Sequence, residues 1–259
     1  MLNLQISPKL LIDLTTIFQT EFGKDLAGLY LWGSALSVDF EPTASDLDLL
    51  VVLHSDLDGA SQKAARRVSA AFLGRYPEWQ GRLEIVCLAS LTLANFRAGG
   101  SLLHLSRNQP WQKEDHLETW LRSLYLARQM AQALWGAPIE TLIPPITLDE
   151  FRAAIRASAA ELSQKIVASV EPSLRGYFVL TMCRAWVSLQ TGKLPSKTAA
   201  AAEVSVQKPQ WAALLAQAQE NHRTAGALGL IEPADCALAQ DFLQALGQEI
   251  AGWPATENT

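Results

Sequence analysis

Cysteine and histidine are scarce in this chain, and neither residue is clustered. Its 259 residues include three cysteines and four histidines, with no CxxC pair and no HxxxH pair. The cysteines, Cys87, Cys183 and Cys236, are odd in number and far apart. This spacing argues against both a disulfide framework and a zinc site. We expect three buried, reduced thiols in a cytoplasmic protein.

Long apolar runs and an excess of basic charge are also absent. No segment reaches the roughly 18 apolar residues of a membrane span. The first eight residues do not place basic residues before an apolar stretch, as a secretion signal would. The 21 Lys and Arg residues are outnumbered by 26 Asp and Glu residues, which gives a net charge of −5. Nucleic-acid-binding surfaces are basic, so we expect neither a nucleic-acid nor a membrane partner.

Hydrophobic residues make up 49% of the chain, and their pattern changes along it. Up to about residue 145, strand-like runs alternate with helical periodicity, whereas the later residues show helical periodicity alone. Two prolines in the segment 143–149 interrupt any helix and indicate a linker. We predict an α+β fold, with a mixed-sheet domain over 1–145 and an α-helical bundle over 146–259. Within the first domain, the spacing predicts one helix over 116–135.

A Gly-Ser turn and two nearby aspartates carry the first chemical signal. Gly33 and Ser34 follow a predicted strand, and Asp46 and Asp48 stand at the start of the next. Side chains alternate along a strand, so the two aspartates project from one face. Asp46 could simply cap a turn, but Asp48 lies inside an apolar strand, where a carboxylate requires a cation or hydrogen bonds. The pattern predicts a divalent-metal site beside a phosphate-binding turn, although a glycine turn by itself is common.

Glu84 is a third acid in a similar setting. It lies in the apolar run 83–88, which is predicted to be the strand that follows the next helix. A strand–helix–strand crossover can place this strand beside the one that carries Asp48. We therefore favour Glu84 facing the same site, the alternative being an outward-facing acid on an edge strand.

The three acids and the Gly-Ser turn resemble the pattern of the nucleotidyltransferase superfamily, whose domain is similar to that of polymerase beta. The resemblance implies that Asp46 and Asp48, with Glu84, hold Mg²⁺ bound to ATP. It also implies that Glu84 is the general base on the acceptor hydroxyl. The residues expected around the ATP phosphates are Gly33, Ser34 and Ser45.

A second resemblance covers the later part of the chain. The segment 179–197 is similar to the helical-domain signature of the streptomycin/spectinomycin 3''-adenylyltransferases and their relatives. This resemblance implies AMP transfer to an aminoglycoside in a cleft between two domains, by a monomer or weak dimer. It implies that Arg184 and Lys197 reach the triphosphate. Otherwise Arg184 pairs with a local acid and Lys197 is merely solvated.

The acceptor is the least determined part of this interpretation. The antibiotic-modifying members carry a Trp and acidic residues before the helix that matches 174–190, but here the segment 163–177 has no Trp and one acid, Glu171. We expect Trp111 and Tyr177 to bind the acceptor, although Tyr177 could equally be a core aromatic. Two alternatives stay open. One is transfer to another small molecule or a protein hydroxyl, and the other is a non-catalytic nucleotide-binding or antitoxin-like module.

Overall fold

The chain divides into two compact units, Met1–Ile146 and Thr147–Thr259. The computed structural model describes residues 6–37, 40, 45–106, 109–165, 172–223 and 235–254. The boundary between the units lies within the predicted linker. None of the helices in the described ranges is both long enough and apolar enough to span a bilayer.

The first unit combines helices with a mixed sheet. Its strands are β1 (Leu26–Trp32), β2 (Leu47–Leu53), β3 (Leu83–Ala89), β4 (Leu102–Leu105), β5 (Gln112–Glu114) and β6 (Gln132–Gly136). Its helices are α1 (Pro8–Phe22), α2 (Gly59–Arg75), α3 (Ser90–Ala94) and α4 (Leu121–Met130). The described strands form one sheet in the order β5-β4-β3-β2-β1-β6. The α+β class predicted from the sequence is confirmed.

The crossover through α2 brings the two acid-bearing strands together. Strands β2 and β3 pair in parallel, whereas β1 pairs with β2 in the antiparallel sense. Helix α2 begins with a capping box, in which the Asp58 side chain accepts hydrogen bonds from the backbone N–H groups of Ala60 and Ser61. The cap satisfies donors that the first turn leaves unpaired, so α2 starts at a defined point after β2.

The sheet is covered on both faces, as the apolar runs of β2 and β3 require. One face packs against α1 and α2, where the core includes Leu14, Phe18, Leu29, Leu49, Val68, Phe72 and Ile85. The other packs against α4 and the turns around it, where the core includes Tyr30, Leu50, Val86, Phe96, Leu117, Leu124 and Ile143. We call these the α2 face and the α4 face.

The predicted single helix over 116–135 is wrong. A 3-10 turn at Leu117–Trp120 leads into α4, and Gln132–Gly136 then forms the edge strand β6 against β1. Helical spacing describes the apolar residues well, but without β6 the backbone groups along one side of β1 would lack partners. The end of β6 requires a glycine. Gly136 has a φ of +94°, and a Cβ at this position would collide with the Ala27 carbonyl oxygen.

The second unit is helical throughout its described residues. Its helices are α5 (Leu148–Ser163), α6 (Pro172–Thr191), α7 (Lys197–Gln207), α8 (Ala212–Arg223) and α9 (Cys236–Ala251). Helix α6 is central and packs against α5, α7, α8 and α9. Thr147 and Glu150 form a capping box that starts α5 directly after the proline-containing segment.

Candidate active site

Three polar side chains form a row across the α4 face of the sheet. Asp48 on β2 is the register partner of Trp32 on β1 and of Glu84 on β3. Leu47 and Leu49, the neighbours of Asp48 in sequence, belong to the core on the opposite face. The structure therefore places the side chains of Asp48 and Glu84 next to each other on central strands, and Glu84 is not on an edge strand.

Gly33 lies directly against the Asp48 carboxylate. The 3-10 turn Gly33–Leu36 follows β1, and Gly33 adopts a φ of +70°. A Cβ at this position would lie 2.8 Å from Asp48 Cγ and closer still to Oδ2, so only glycine fits. The Ser34 backbone N–H donates to Asp48, and Ser34 Oγ donates to the Asp46 carbonyl oxygen at 3.4 Å. The turn therefore packs against the Asp48 carboxylate and donates a hydrogen bond to it.

Asp48 has an unusual proton affinity. Burial raises its pKa well above the ordinary 3.8, and the charges of Glu84 and Asp46 raise it further. Protonated Asp48 donates a hydrogen bond to Glu84, whereas the Ser34 backbone N–H acts in the opposite direction. Two carboxyl groups at adjacent register positions therefore favour a proton, or a cation, between them.

The donor chemistry of this site fits a hard divalent cation. Asp46, Asp48 and Glu84 offer only carboxylate oxygens, the ligands that Mg²⁺ prefers. Over the described ranges, no three His, Cys, Asp or Glu side chains already converge as a metal-binding group. The acids stand as a close pair, Asp48 and Glu84, with Asp46 near enough to affect the charge of Asp48. A cation would offset the burial and the repulsion that together raise the pKa of Asp48.

Arg82 holds the chain that leads into β2, a role that the sequence did not reveal. Its Nη1 donates to the Ser45 carbonyl oxygen at 2.8 Å, and its Nη2 donates to the Glu78 carbonyl oxygen at 2.9 Å. The guanidinium stacks 4.5 Å from the centre of the Trp79 ring. These contacts fix Ser45 at the entrance to the site, one residue before Asp46.

Trp111 lies away from the carboxylates. It packs against the core on the α2 face, and its Nε1–H donates to Ser69 Oγ of α2 at 3.1 Å. The structure therefore does not bring this predicted acceptor-binding residue together with Asp48 and Glu84, which lie on the α4 face. Its contacts are those of a packing residue with a satisfied indole.

The predicted residues of the second unit form a group of their own. Lys197, at the start of α7, places Nζ 4.2 Å above the centre of the Tyr177 ring. Tyr177 is 44% exposed, so it is not a core aromatic. Arg184 follows Tyr177 by seven residues on α6 and therefore lies on the same side of the helix. Lys197 and the Tyr177 ring thus contact each other, whereas Arg184 lies about two helical turns farther along α6, and Glu171 lies outside the described residues.

Sequence reasoning also missed two polar groups on the α4 face. The Trp32 indole Nε1 is buried, with no hydrogen-bond partner among the described residues. His104, on β4, hydrogen-bonds to Glu114. The sequence signal for His104 is a single polar side chain between Leu103 and Leu105.

Comparisons with known proteins agree with this architecture. The family model "aminoglycoside adenylyltransferase, C-terminal domain" matches residues 141–235. Spectinomycin 9-adenylyltransferases of Staphylococcus aureus are 26% identical over 217 residues, which is 75% of this chain and 76% of theirs. The fold is similar to that of a spectinomycin adenyltransferase from Enterococcus faecialis, solved with ATP and spectinomycin. In that comparison the TM-score is 0.73 and the identity 20%, over 95% of this chain and 99% of the other.

Proposed function

We propose that this chain, which belongs to the aminoglycoside adenylyltransferase family, transfers AMP from ATP to a hydroxyl of a spectinomycin-like aminoglycoside antibiotic and releases pyrophosphate. The chain is a nucleotidyltransferase enzyme. The relatives are named for position 9 of spectinomycin rather than for the 3'' position, so spectinomycin is the first acceptor to test.

The observation that carries this proposal is the pairing of Asp48 with Glu84 beside a glycine turn. The two acids are register partners, and Gly33 leaves no side chain between the turn and Asp48. This arrangement concentrates negative charge where a divalent cation and a phosphate would meet. Phosphoryl transfer depends mainly on such positioning and charge neutralisation.

We assign Glu84 as the general base. Its carboxylate takes the proton of the acceptor hydroxyl, and the oxygen then forms a bond to the α-phosphorus of ATP. The bond from this phosphorus to the bridging oxygen breaks, and its electron pair leaves with pyrophosphate. Asp46 and Asp48, with Glu84, would hold Mg²⁺, which supplies charge neutralisation at the phosphates when it is bound.

The remaining predicted residues keep supporting roles in the proposal. Gly33, Ser34 and Ser45 lie around the acids and would border the phosphates of ATP. Arg184 and Lys197 would bind the triphosphate, because fixed cations lower the cost of crowding phosphate charge. Tyr177 would offer an exposed aromatic surface to a cationic acceptor. The placement of Trp111 gives no support for acceptor binding.

The assignment of 1–145 as the nucleotidyltransferase domain and of 146–259 as the domain that closes over ATP stays a prediction. Cytoplasmic location and a monomer or weak dimer also stay predictions.

The test is a direct assay of the transferred group. The purified protein is incubated with ATP, Mg²⁺ and spectinomycin or streptomycin, and the product is analysed by mass spectrometry. We expect an added adenylyl group on spectinomycin. Glu84→Gln should lower turnover by roughly 10²–10⁴-fold, the usual contribution of a general base.

Glu140→Gln is the matched control, because Glu140 is an exposed acid of the same unit. It should turn over as the wild type does, and both variants should show the wild-type circular dichroism spectrum. Absence of product across a broad aminoglycoside panel would refute the antibiotic assignment. Wild-type turnover by Glu84→Gln would refute the role of the base.

A second candidate keeps the reaction and changes the acceptor. It is favoured by the segment 163–177, which offers a single acid, Glu171, to a polycationic antibiotic. ATP carrying labelled α-phosphate, offered to cell extract, distinguishes the candidates by whether the label enters spectinomycin, another small molecule or a polypeptide.

A further inference from the structure

Glu114 and Trp120 hold the His104 ring in one orientation. Its Nδ1 lies 2.8 Å from Glu114 Oε1, and Glu114 Oε2 accepts a hydrogen bond from Trp120 Nε1 at 3.0 Å. The imidazole meets the Trp120 ring edge-on, with centroids 4.9 Å apart and planes at 88°. One carboxylate thus holds the histidine and also the aromatic ring that packs against it.

The hydrogen bond to Glu114 determines which ring nitrogen of His104 carries the proton and which has a free lone pair. A carboxylate only accepts hydrogen bonds, so Nδ1 carries the proton that Glu114 binds. In the neutral imidazole Nε2 then has a lone pair available. Nε2 makes no hydrogen bond to any described residue, and the side chain keeps 17% of its surface exposed. A ring nitrogen oriented by a carboxylate in this way is the usual arrangement of a histidine that binds a ligand or moves a proton.

The sheet places His104 beside the carboxylate pair. His104 on β4 is the register partner of Val86 on β3, and Glu84 lies two residues before Val86. Side chains two residues apart on a strand share a face, so His104 and Glu84 both project from the α4 face. Diagonal neighbours on antiparallel strands lie about 7–8 Å apart, within reach of aromatic and long side chains. A hydroxylated molecule between them can contact both.

We propose that His104 is an acceptor-binding residue of this site, whose Nε2 accepts a hydrogen bond from a second hydroxyl or an ammonium group of the acceptor while Glu84 acts on the reacting hydroxyl. Glu114 is the positioning residue that fixes the tautomer. The inference rests on the proposed function, and it names the chemistry recognised: a polyhydroxylated amine that donates a hydrogen bond.

A purely structural role for His104 makes a different prediction. If the histidine only joined β4 to β5 through Glu114, its loss would lower stability without changing the affinity for one substrate. An acceptor-binding role instead predicts a selective rise in the KM for the acceptor, with the KM for ATP unchanged.

The experiment measures both KM values in the full-length protein. His104→Phe keeps a ring against Trp120 but removes Nε2, and it should raise the KM for spectinomycin by roughly five- to tenfold, the value of one hydrogen bond. The KM for ATP should stay within about twofold by the same reasoning. His104→Gln returns a hydrogen-bond acceptor and should recover part of the affinity. Glu114→Gln should also raise the acceptor KM, because an amide can donate to Nδ1 and reverse the tautomer.

The matched control is a second histidine–carboxylate pair in the same unit. His116 Nδ1 lies 3.3 Å from Glu118 Oε1, and both side chains are exposed. His116→Phe and Glu118→Gln should leave both KM values unchanged. An unchanged acceptor KM in folded His104→Phe overturns the inference while the proposed function stands. Absence of turnover by the wild type on any aminoglycoside overturns the proposed function, and the inference with it.

A binding measurement covers the case in which His104→Phe does not fold. The chain has four histidines, so the ¹⁵N resonances of His104 can be assigned by comparison with His104→Gln. Spectinomycin added to the wild type should shift Nε2 of His104 and leave His116 unchanged. A titration that reaches saturation without moving the Nε2 resonance overturns the inference.

Discussion

At the scale of single residues, Asp48 has opposite effects on the stability of the cation-free protein and on the proposed function. It is the register partner of Glu84, and burial and neighbouring charge raise its pKa. The unfolded chain ionises in the ordinary Asp range, whereas the native protein keeps the proton to higher pH. Native Asp48 therefore binds more protons than the unfolded chain between these two values. Without a cation, the free energy of unfolding must fall as the pH rises from the unfolded-state pKa of Asp48 to its native-state pKa.

Asp48→Asn should therefore stabilise the cation-free protein at neutral pH while it abolishes turnover. In the presence of a chelator, we expect its Tm to exceed that of the wild type at pH 7. The difference should shrink as pH falls towards 3.8, the ordinary value for Asp, and vanish below it, where wild-type Asp48 is protonated in both states. Thermal melts followed by circular dichroism at several pH values give the comparison.

Asp56→Asn is the control, since Asp56 is exposed in the loop that follows the same strand. It should not change the Tm in a pH-dependent way. A loss of stability in Asp48→Asn that is equal at all pH values would contradict the charge argument and indicate simple loss of packing.

At the scale of elements, the turn Gly33–Leu36 determines how β1 and β2 present the acids. Gly33 has a φ of +70°, and its backbone lies against the Asp48 carboxylate. The turn therefore requires glycine for two independent reasons, a left-handed backbone conformation and a lack of space. Its backbone N–H groups remain near the aspartates, where a phosphate is proposed to bind.

Gly33→Ala should lower both stability and turnover. The left-handed conformation costs an alanine about 1–2 kcal/mol, and displacement of Asp48 adds to it. Urea denaturation and the adenylyl-transfer assay measure the two effects. Gly74→Ala is the matched control, because a Cβ there meets nothing within 4 Å and Gly74 lies in helix α2. It should stabilise the protein by about 0.4–1 kcal/mol and keep full activity. Wild-type activity in Gly33→Ala would show that the turn does not position Asp48.

At the scale of the whole molecule, each unit has its own core. In Met1–Ile146 the sheet is covered on both faces by helices and turns of the same unit. In Thr147–Thr259, α6 is surrounded by helices that follow or immediately precede it. Over the described residues, the two clusters that cover the sheet draw only on side chains of the first unit, which is the property of a domain.

A fragment of residues 1–146 should therefore fold by itself. We expect cooperative thermal unfolding and a near-ultraviolet circular dichroism signal from its tryptophans, since two packed faces provide a core of ordinary domain size. Cys87 is buried in this core, and burial raises its thiol pKa, so it should resist thiol reagents until the fragment unfolds. A non-cooperative transition, or rapid Cys87 modification in native conditions, would show that the unit depends on the rest of the chain.

The sequence by itself determined the acidic residues of the candidate site and the two strands that carry them, β2 and β3. Strand periodicity of two predicted Asp46 and Asp48 on one face, and the strand–helix–strand order predicted that the strand of Glu84 lies beside that of Asp48, as it does in the structure. The two prolines in the segment 143–149 marked the linker between the predicted domains. These features depend on neighbours close in sequence, so local patterns specify them.

Only the tertiary structure decided which of these residues meet. It paired Asp48 with Glu84, turned Gln132–Gly136 from a predicted helix into an edge strand, and put Trp111 on the opposite face from the acids. It also joined His104 to Glu114, which no spacing pattern indicated. Register, strand order and the choice of face follow from long-range backbone pairing and burial, which outweigh local propensity and leave no periodic trace in the sequence.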